Sequence, residues 1–210
     1  MKRAEPRGKP AVKGELFIVS APSGAGKTTL CREVSRIVPR LKHSVSYTTR
    51  TPRKGEKNNV HYSFVNQDRF RAMLKKGEFA EWAVVHGNLY GTSAKRLKEL
   101  SNKGYDIILD IDTQGALQFR RKFADAVYVF ILPPNMKILE QRLKGRKSDM
   151  NREIKRRLLN ARKEIASYRE YDYIIVNDNI KKALRELESI ITARRLRTSR
   201  VDAGFIKALK

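Results

Sequence analysis

The sequence predicts an α/β fold in which a parallel sheet is covered by helices on both faces and interrupted by a small inserted lobe. Three observations carry this. Short apolar runs recur along the 210 residues, and such strands lie in parallel sheets covered on both sides. Each run is followed by a helical stripe, the alternation expected of strand–helix–strand units with right-handed crossovers. Between residues 44 and 92 that rhythm breaks into short, partly alternating pieces rich in aromatic and β-branched residues.

Residues 1–13 are basic and lack the apolar stretch of a secretory signal, so they read as a disordered lead-in. Leu16 to Val19 is the first core strand, and Leu30, Val34, Ile37 and Val38 form the stripe of the helix after it. The inserted lobe, about 44–92, holds four strand-like pieces, Ser44 to Thr49, His61 to Val65, Phe79 to Val85 and Asn88 to Thr92. A polar loop from Thr51 to Asn59 and a short helix from Asp68 to Lys76 separate them, and the lobe is expected to be mostly antiparallel. The core, 14–43, resumes over 93–195 with strands Ile107 to Ile111, Val127 to Leu132 and Tyr173 to Val176. Asn135 and Asn179 stand just after strand ends, where an N-cap belongs. Lys144 to Arg152 reads as a mobile polar loop, followed by a helix with Ile154, Leu158, Ala161 and Ile165 on one face. Ile180, Leu184, Leu187 and Ile191 mark the last core helix, and 196–210 is a basic tail.

The net charge of +24 is extreme for this length. It favours polyanionic partners such as nucleotides, and nucleic-acid binding only as a non-specific consequence of charge, since no RNA-binding module pattern is visible. Arginines cluster at Arg50 and Arg53, over 142–147, over 152–157 and over 194–200, and the last cluster adjoins no chemistry-bearing residue. The single Cys31 excludes a disulfide framework and a cysteine-based zinc site, and reads as a small core thiol. The longest apolar run is too short to span a bilayer, so no membrane role is expected, and the expected location is the cytoplasm. His43, His61 and His86 lack metal-ligand spacing and are assigned no function. No segment specifies an oligomeric state.

The chemistry starts at the end of the first strand. Ala21, Pro22, Ser23, Gly24, Ala25 and Gly26 form a small-residue loop leading to Lys27, Thr28 and a helix. In that context the backbone N–H groups cradle a polyphosphate at a helix N-terminus. Lys27 would neutralise the β- and γ-phosphates, and the Thr28 hydroxyl would ligate Mg²⁺. Ala21 departs from the strict pattern, which has glycine there; a methyl group is tolerated if φ stays negative. Arg50 and Arg53, with Pro52 stiffening the turn between them, can fork onto one phosphate; the alternative is a solvated basic loop. Asp110 stands at a strand end, the usual Mg²⁺ anchor of such enzymes, with Asp112 on the same side by strand alternation, unless one of the two only caps the next helix. Glu81 is charged within an otherwise apolar strand. Its carboxylate, a double acceptor, matches guanine's N1–H and N2–H₂ edge, the alternative being a surface carboxylate.

In order along the chain, Ala21 to Thr28, Ser46 to Arg53 with Gly55 and Glu56, His61 and Tyr62, Glu81 and Trp82, Gly87 to Thr92, Leu109 to Asp112, Gln141 to Arg146 and Ile174 to Asp178 resemble the guanylate kinases in their short bacterial form. The resemblance covers roughly residues 14–195. It implies a P-loop core, a GMP-binding lobe and a lid of about 142–157, with transfer of the γ-phosphoryl of ATP to GMP or dGMP. By similarity Arg50, Arg53, Tyr62 and Tyr90 would hold the GMP phosphate, and Ser46, Glu81, Thr92 and Asp112 would read guanine. Arg142, Arg146 and Arg157 would act on the transferring phosphoryl from the lid side. Asn177 would lie near the adenine or its supporting loop. Thr92 stands where some members have serine, and Lys147 where glycine is common, which makes the lid stiffer.

The implied reaction suits these residues. Its nucleophile is an already anionic phosphate oxygen, so no strong general base is needed, and catalysis rests on positioning and charge stabilisation. Two competing readings are another nucleoside-monophosphate kinase, which Glu81 with Asp112 disfavours, and a scaffold domain that has lost catalysis, which an intact phosphate loop disfavours.

Overall fold

The computed structural model describes residues 13–85, 87–144, 151–201 and 203–209. The chain opens with strand β1 (Leu16–Ser20), helix α1 (Lys27–Ile37) and strand β2 (Leu41–His43). The lobe follows with β3 (Tyr47–Thr48), β4 (Ser63–Phe64), α2 (Gln67–Lys75), β5 (Phe79–Val85) and β6 (Asn88–Ser93). The core then runs through α3 (Ala94–Asn102), β7 (Asp106–Asp110), α4 (Thr113–Lys122), β8 (Val127–Leu132), α5 (Met136–Lys144), α6 (Asn151–Ala166), β9 (Tyr173–Val176) and α7 (Ile180–Arg195). A short α8 (Ala203–Lys207) ends it.

The five core strands are all parallel, in the order β2-β7-β1-β8-β9. Strand alternation divides the interior in two. Phe17 and Val19 of β1 face the side covered by α1 and α7, with Leu30, Val34, Leu187 and Ile191. Ile18 faces the opposite side, packing with Leu97 of α3 and Phe119 of α4. Both faces of β1, β7 and β8 are therefore buried, as their apolar runs require, whereas β9, also read as doubly covered, lies at the sheet edge, where Tyr173, Ile174 and Val176 are exposed and only Ile175 is buried. The chain passes from β1 towards β7 on one side and β8 on the other, so the sheet has its switch point at the carboxyl end of β1, where ligands bind in open α/β sheets.

The structure adds a strand that the apolar runs do not reveal. β2 has only three residues, of which Leu41 is buried, and it pairs with β7 at the sheet edge. With an exposed lysine at its centre, Lys42, this short strand carries no continuous apolar signature. In the lobe, β3–β6 and β5–β6 are antiparallel and β3–β4 is parallel. Phe70, Met73 and Phe79 form its own small core. Ile37 and Ile180, expected on buried stripes, are exposed at helix ends, while Ala183 takes a buried place on α7. Asn135 and Asn179 do cap their helices, accepting from Ile138 N–H and from Lys181 and Lys182 N–H. The lead-in 1–12, most of the polar loop before α6, and with them Arg146, Lys147 and His86, lie outside the described residues. Among the described residues no helix is long and apolar enough to cross a membrane.

The arginines around the end of α7 close the amino-terminal edge of the sheet. Arg194 Nε donates to Glu15 Oε2 at 2.8 Å, Arg195 Nε donates to Asp106 Oδ2 at 2.7 Å, and Arg200 also reaches Glu15. Asp106 is buried and accepts Glu15 N–H at 2.7 Å, tying β1 to β7. The expected tail boundary near residue 195 thus falls inside an ion-pair network, at the opposite end of the strands from the phosphate loop. Replacing Arg195 and Arg200 together by alanine leaves Asp106 short of partners. This is expected to destabilise the fold by about 1–3 kcal/mol, the cost of a buried group left unsatisfied, and to lower Tm by several degrees, with kcat within about twofold of wild type. Thermal melting and turnover on the same variant check both halves; a large loss of kcat in a folded variant would instead carry the tail to the active site.

Candidate active site

A cavity of about 350 Å³ opens at the carboxyl ends of the core strands, between the core and the lobe. Its floor is the loop after β1. Gly26 adopts φ 97° and leads into α1, whose N-terminus has no side-chain cap, so its N–H groups face the cavity. A side chain at Gly26 would collide with Asn177 Nδ2. Among the described residues the only non-glycines at positive φ are Arg40 and Asn59, so Ala21 keeps an ordinary backbone and the missing glycine costs no strain. Lys27 Nζ is held at 2.7 Å from Ile111 O.

Thr28 Oγ1 donates to Asp110 Oδ2 at 2.7 Å, and His43 Nε2 lies 3.0 Å from Asp110 Oδ1. Burial alone would raise the Asp110 carboxyl, but His43, Lys27 and the Thr28 hydrogen bond hold it down at about 2. The two aspartates reach the cavity from different elements. Asp110 ends β7, whereas Asp112 is the N-cap of α4, accepting Gly115 N–H at 2.8 Å. Strand alternation no longer applies at Asp112, so the capping alternative holds for it, and both residues line the cavity all the same.

The lobe supplies the facing wall. Glu81 is buried, one of three consecutive buried residues at the start of β5, where a register shift between Phe79 and Glu81 breaks the alternation. Such a bulge re-aims a side chain, and here the Glu81 carboxylate turns towards α4. Thr92, its cross-strand neighbour, donates its hydroxyl hydrogen to Glu81 Oε1. Burial pushes the Glu81 carboxyl up to about 7, against the Thr92 hydrogen bond and with the help of the nearby Asp112 charge. Gln118 Nε2 of α4 donates to Trp82 O at 2.8 Å and Lys122 Nζ donates to Ala80 O at 2.8 Å, so α4 holds the strand that carries Glu81.

Arg50 Nη2 lies 2.9 Å from both Glu56 oxygens, and Arg53 N–H donates to Glu56 Oε2 at 2.7 Å. Burial works against ionisation of Glu56, but the Arg53 N–H and the Arg50 guanidinium hold it below the usual carboxylate range. The Arg50 guanidinium stands 5.5 Å from the centre of the Tyr62 ring, which meets Tyr90 edge-on at 5.9 Å.

The structure thus brings to one cavity Ala21, Pro22, Ser23, Gly24, Gly26, Lys27, Thr28, Asp110, Asp112 and Arg157 from the core, and Ser46, Arg50, Arg53, Tyr62, Glu81 and Tyr90 from the lobe. Other expected residues lie behind its wall. Thr92 sits behind Glu81. Ala25 is buried beneath the loop, where its carbonyl accepts from Asn177 Nδ2 at 2.7 Å, so Asn177 supports the loop. Arg142 of α5 donates to Asn177 O at 3.0 Å. Arg157 Nη2 of α6 donates to Ser23 Oγ at 2.7 Å. The sequence assigns no role to His43, Glu56 or Glu164. His43 steadies Asp110, Glu56 organises the arginine pair, and Glu164 of α6 lines the cavity with its carboxyl raised, chiefly by burial. The acid three residues beyond Arg53 is the one signal that could have found Glu56.

The guanylate kinase family model matches residues 13–194. The guanylate kinase of Geobacter metallireducens is 56% identical over 189 residues, covering 90% of this chain and 93% of its own. That of Geobacter sulfurreducens is 57% identical with the same coverage, and that of Syntrophotalea carbinolica 51% identical over 193 residues, covering 91% of this chain and 92% of its own. The crystal structure of guanylate kinase from Anaplasma phagocytophilum superimposes with a TM-score of 0.78 at 34% identity, covering 94% of each chain.

Proposed function

This chain belongs to the guanylate kinase family and phosphorylates GMP to GDP with ATP as donor, and we propose that its cavity does so with ATP on the core side and GMP on the lobe side. The observation that carries this division is the meeting of two unlike ends in one cavity. A phosphate loop with Lys27 faces a buried carboxylate, Glu81, and an arginine pair. The loop and α1 N-terminus bind the donor phosphates, and Lys27 leaves the Ile111 carbonyl to compensate their charge. Arg50, Arg53, Tyr62 and Tyr90 hold the acceptor phosphate in line. Arg157, beside Ser23, is placed to stabilise the moving phosphoryl group.

Thr28 Oγ1 and Asp110 Oδ2 are hard oxygen donors side by side, the second kept ionised. Among the described residues no cluster of three or more acidic, histidine or cysteine side chains could hold a metal alone. That fits Mg²⁺, which takes one or two protein oxygens and completes its shell with water and substrate phosphates. When bound, Mg²⁺ neutralises charge on the donor phosphates. The proposed location is the cytoplasm, where these nucleotides are available and where the free thiol of Cys31 stays reduced.

Guanine recognition is the discriminating part. Glu81→Gln replaces a double acceptor by one acceptor and one donor, and a buried mispaired group costs about 1–3 kcal/mol. GMP affinity is expected to fall roughly tenfold or more, with ATP affinity nearly unchanged. Because Glu81 must be ionised to accept both guanine protons, and its carboxyl lies at about 7, KM for GMP in the wild type is expected to fall as pH rises through neutrality. That slope disappears in Glu81→Gln, which leaves only the titration of the GMP phosphate. ADP formation with GMP, dGMP, AMP or dTMP as acceptor, measured across pH on both proteins, tests the reading. Equal losses of GMP and ATP binding in the variant would make Glu81 structural and place base recognition elsewhere.

A further inference from the structure

The two carboxylates assigned to guanine converge on a residue that has no side chain. Gly115 lies in the first turn of α4 and is buried. A Cβ there would stand 2.5 Å from Glu81 Oε2, 3.2 Å from Glu81 Cδ and 3.1 Å from Asp112 Oδ1. Its backbone is not in the left-handed region, which among the described glycines holds only Gly24, Gly26, Gly55, Gly77, Gly87 and Gly104. Alanine would be the better helix former at such a position. The conformation therefore gives no reason for glycine. The approach of Glu81 does.

We propose that Gly115 is a specificity-determining position, whose missing side chain leaves room for the Glu81 carboxylate beside that of Asp112, so that both acceptors face the base of GMP. The proposal rests on the assignment of Glu81 to guanine. The atom that would collide is the far end of a flexible side chain, so the fold can accommodate a methyl group by turning Glu81 aside. The helix keeps its backbone, and Asp112 keeps the Gly115 N–H that it accepts. What is lost is the aim of one carboxylate, and with it the pairing of a donor edge that the cavity shields from water.

The test is Gly115→Ala in the full chain. GMP affinity is expected to fall about tenfold, the scale of one mispaired buried group, with KM for ATP unchanged and Tm unchanged or raised. The preference for GMP over IMP, which lacks the 2-amino group, narrows. In the Glu81→Ala background there is no carboxylate to displace, so adding Gly115→Ala is expected to change GMP affinity by less than twofold, the non-additivity of two residues acting through one contact. Calorimetric titration of GMP and ATP into the four proteins reads this cycle directly. Unchanged GMP affinity in Gly115→Ala overturns the proposal, as does an additive cycle or a lowered Tm with equal losses for both nucleotides. If Glu81→Ala itself binds GMP normally, the guanine assignment fails first, and that outcome is separable from a Gly115→Ala that is silent while Glu81→Ala is not.

Discussion

Lys27→Ala is expected to lose at least ~10³ in turnover while the fold stays intact, on the scale of removing a main transition-state charge. The residue opens α1 at the mouth of the phosphate loop, and its ammonium donates to the Ile111 carbonyl. Among the described residues no carboxylate forms an ion pair with it, and Asp110 retains His43 and Thr28 when its charge is gone. Stability should therefore change little. Chemistry should change greatly, because charge spreads over the phosphoryl oxygens as the bond to the leaving phosphate breaks, and a fixed cation in a site closed to water offsets it without reorganisation. Steady-state kcat from ADP release, with circular dichroism and a melting curve on the same sample, separates the two. Near-normal turnover would remove this loop from the reaction.

The same contrast explains what is legible in the sequence. The phosphate loop is readable because its chemistry lies in consecutive residues, from Ala21 to Thr28, between a strand and a helix that announce themselves by period. Asp110 is readable because it ends the apolar run from Ile107 to Leu109. His43 is not readable. It reaches Asp110 across the sheet, because the edge strand β2 pairs with β7 and sets His43 opposite Ile108. No spacing along the chain announces a contact of that kind. The Glu81 carboxylate is readable as an anomaly in an apolar run, but its burial comes from a bulge that alternation does not foresee. Arg194, Arg195 and Arg200 look like a solvated tail because the acids they pair with, Glu15 and Asp106, lie far back in the chain. Local chemistry is written locally, whereas partners chosen by topology are not.

Arg50 combines both kinds of information, and its removal is the second large effect. Its spacing from Arg53 points to a phosphate clamp, but Glu56 makes the clamp rigid by taking both Arg50 Nη2 and the Arg53 N–H. Arg50→Ala therefore does two things. It deletes a charge-assisted contact to the acceptor phosphate, about 1.5–3 kcal/mol, and it leaves an ionised Glu56 beside a doubly charged ligand. The expected result is a fall of about 10² in kcat/KM for GMP, the repulsion adding to the lost contact, with KM for ATP nearly unchanged. The second component can be isolated. Arg50→Ala with Glu56→Gln removes the repelling charge and should bind GMP better than Arg50→Ala alone, although Glu56→Gln by itself, by loosening Arg50, should bind GMP worse than wild type. That reversal of sign belongs to a carboxylate that serves GMP binding by holding Arg50 in place. If Glu56→Gln impairs GMP binding equally with and without Arg50, Glu56 acts on the loop backbone through Arg53, and the orienting of Arg50 is no part of its role.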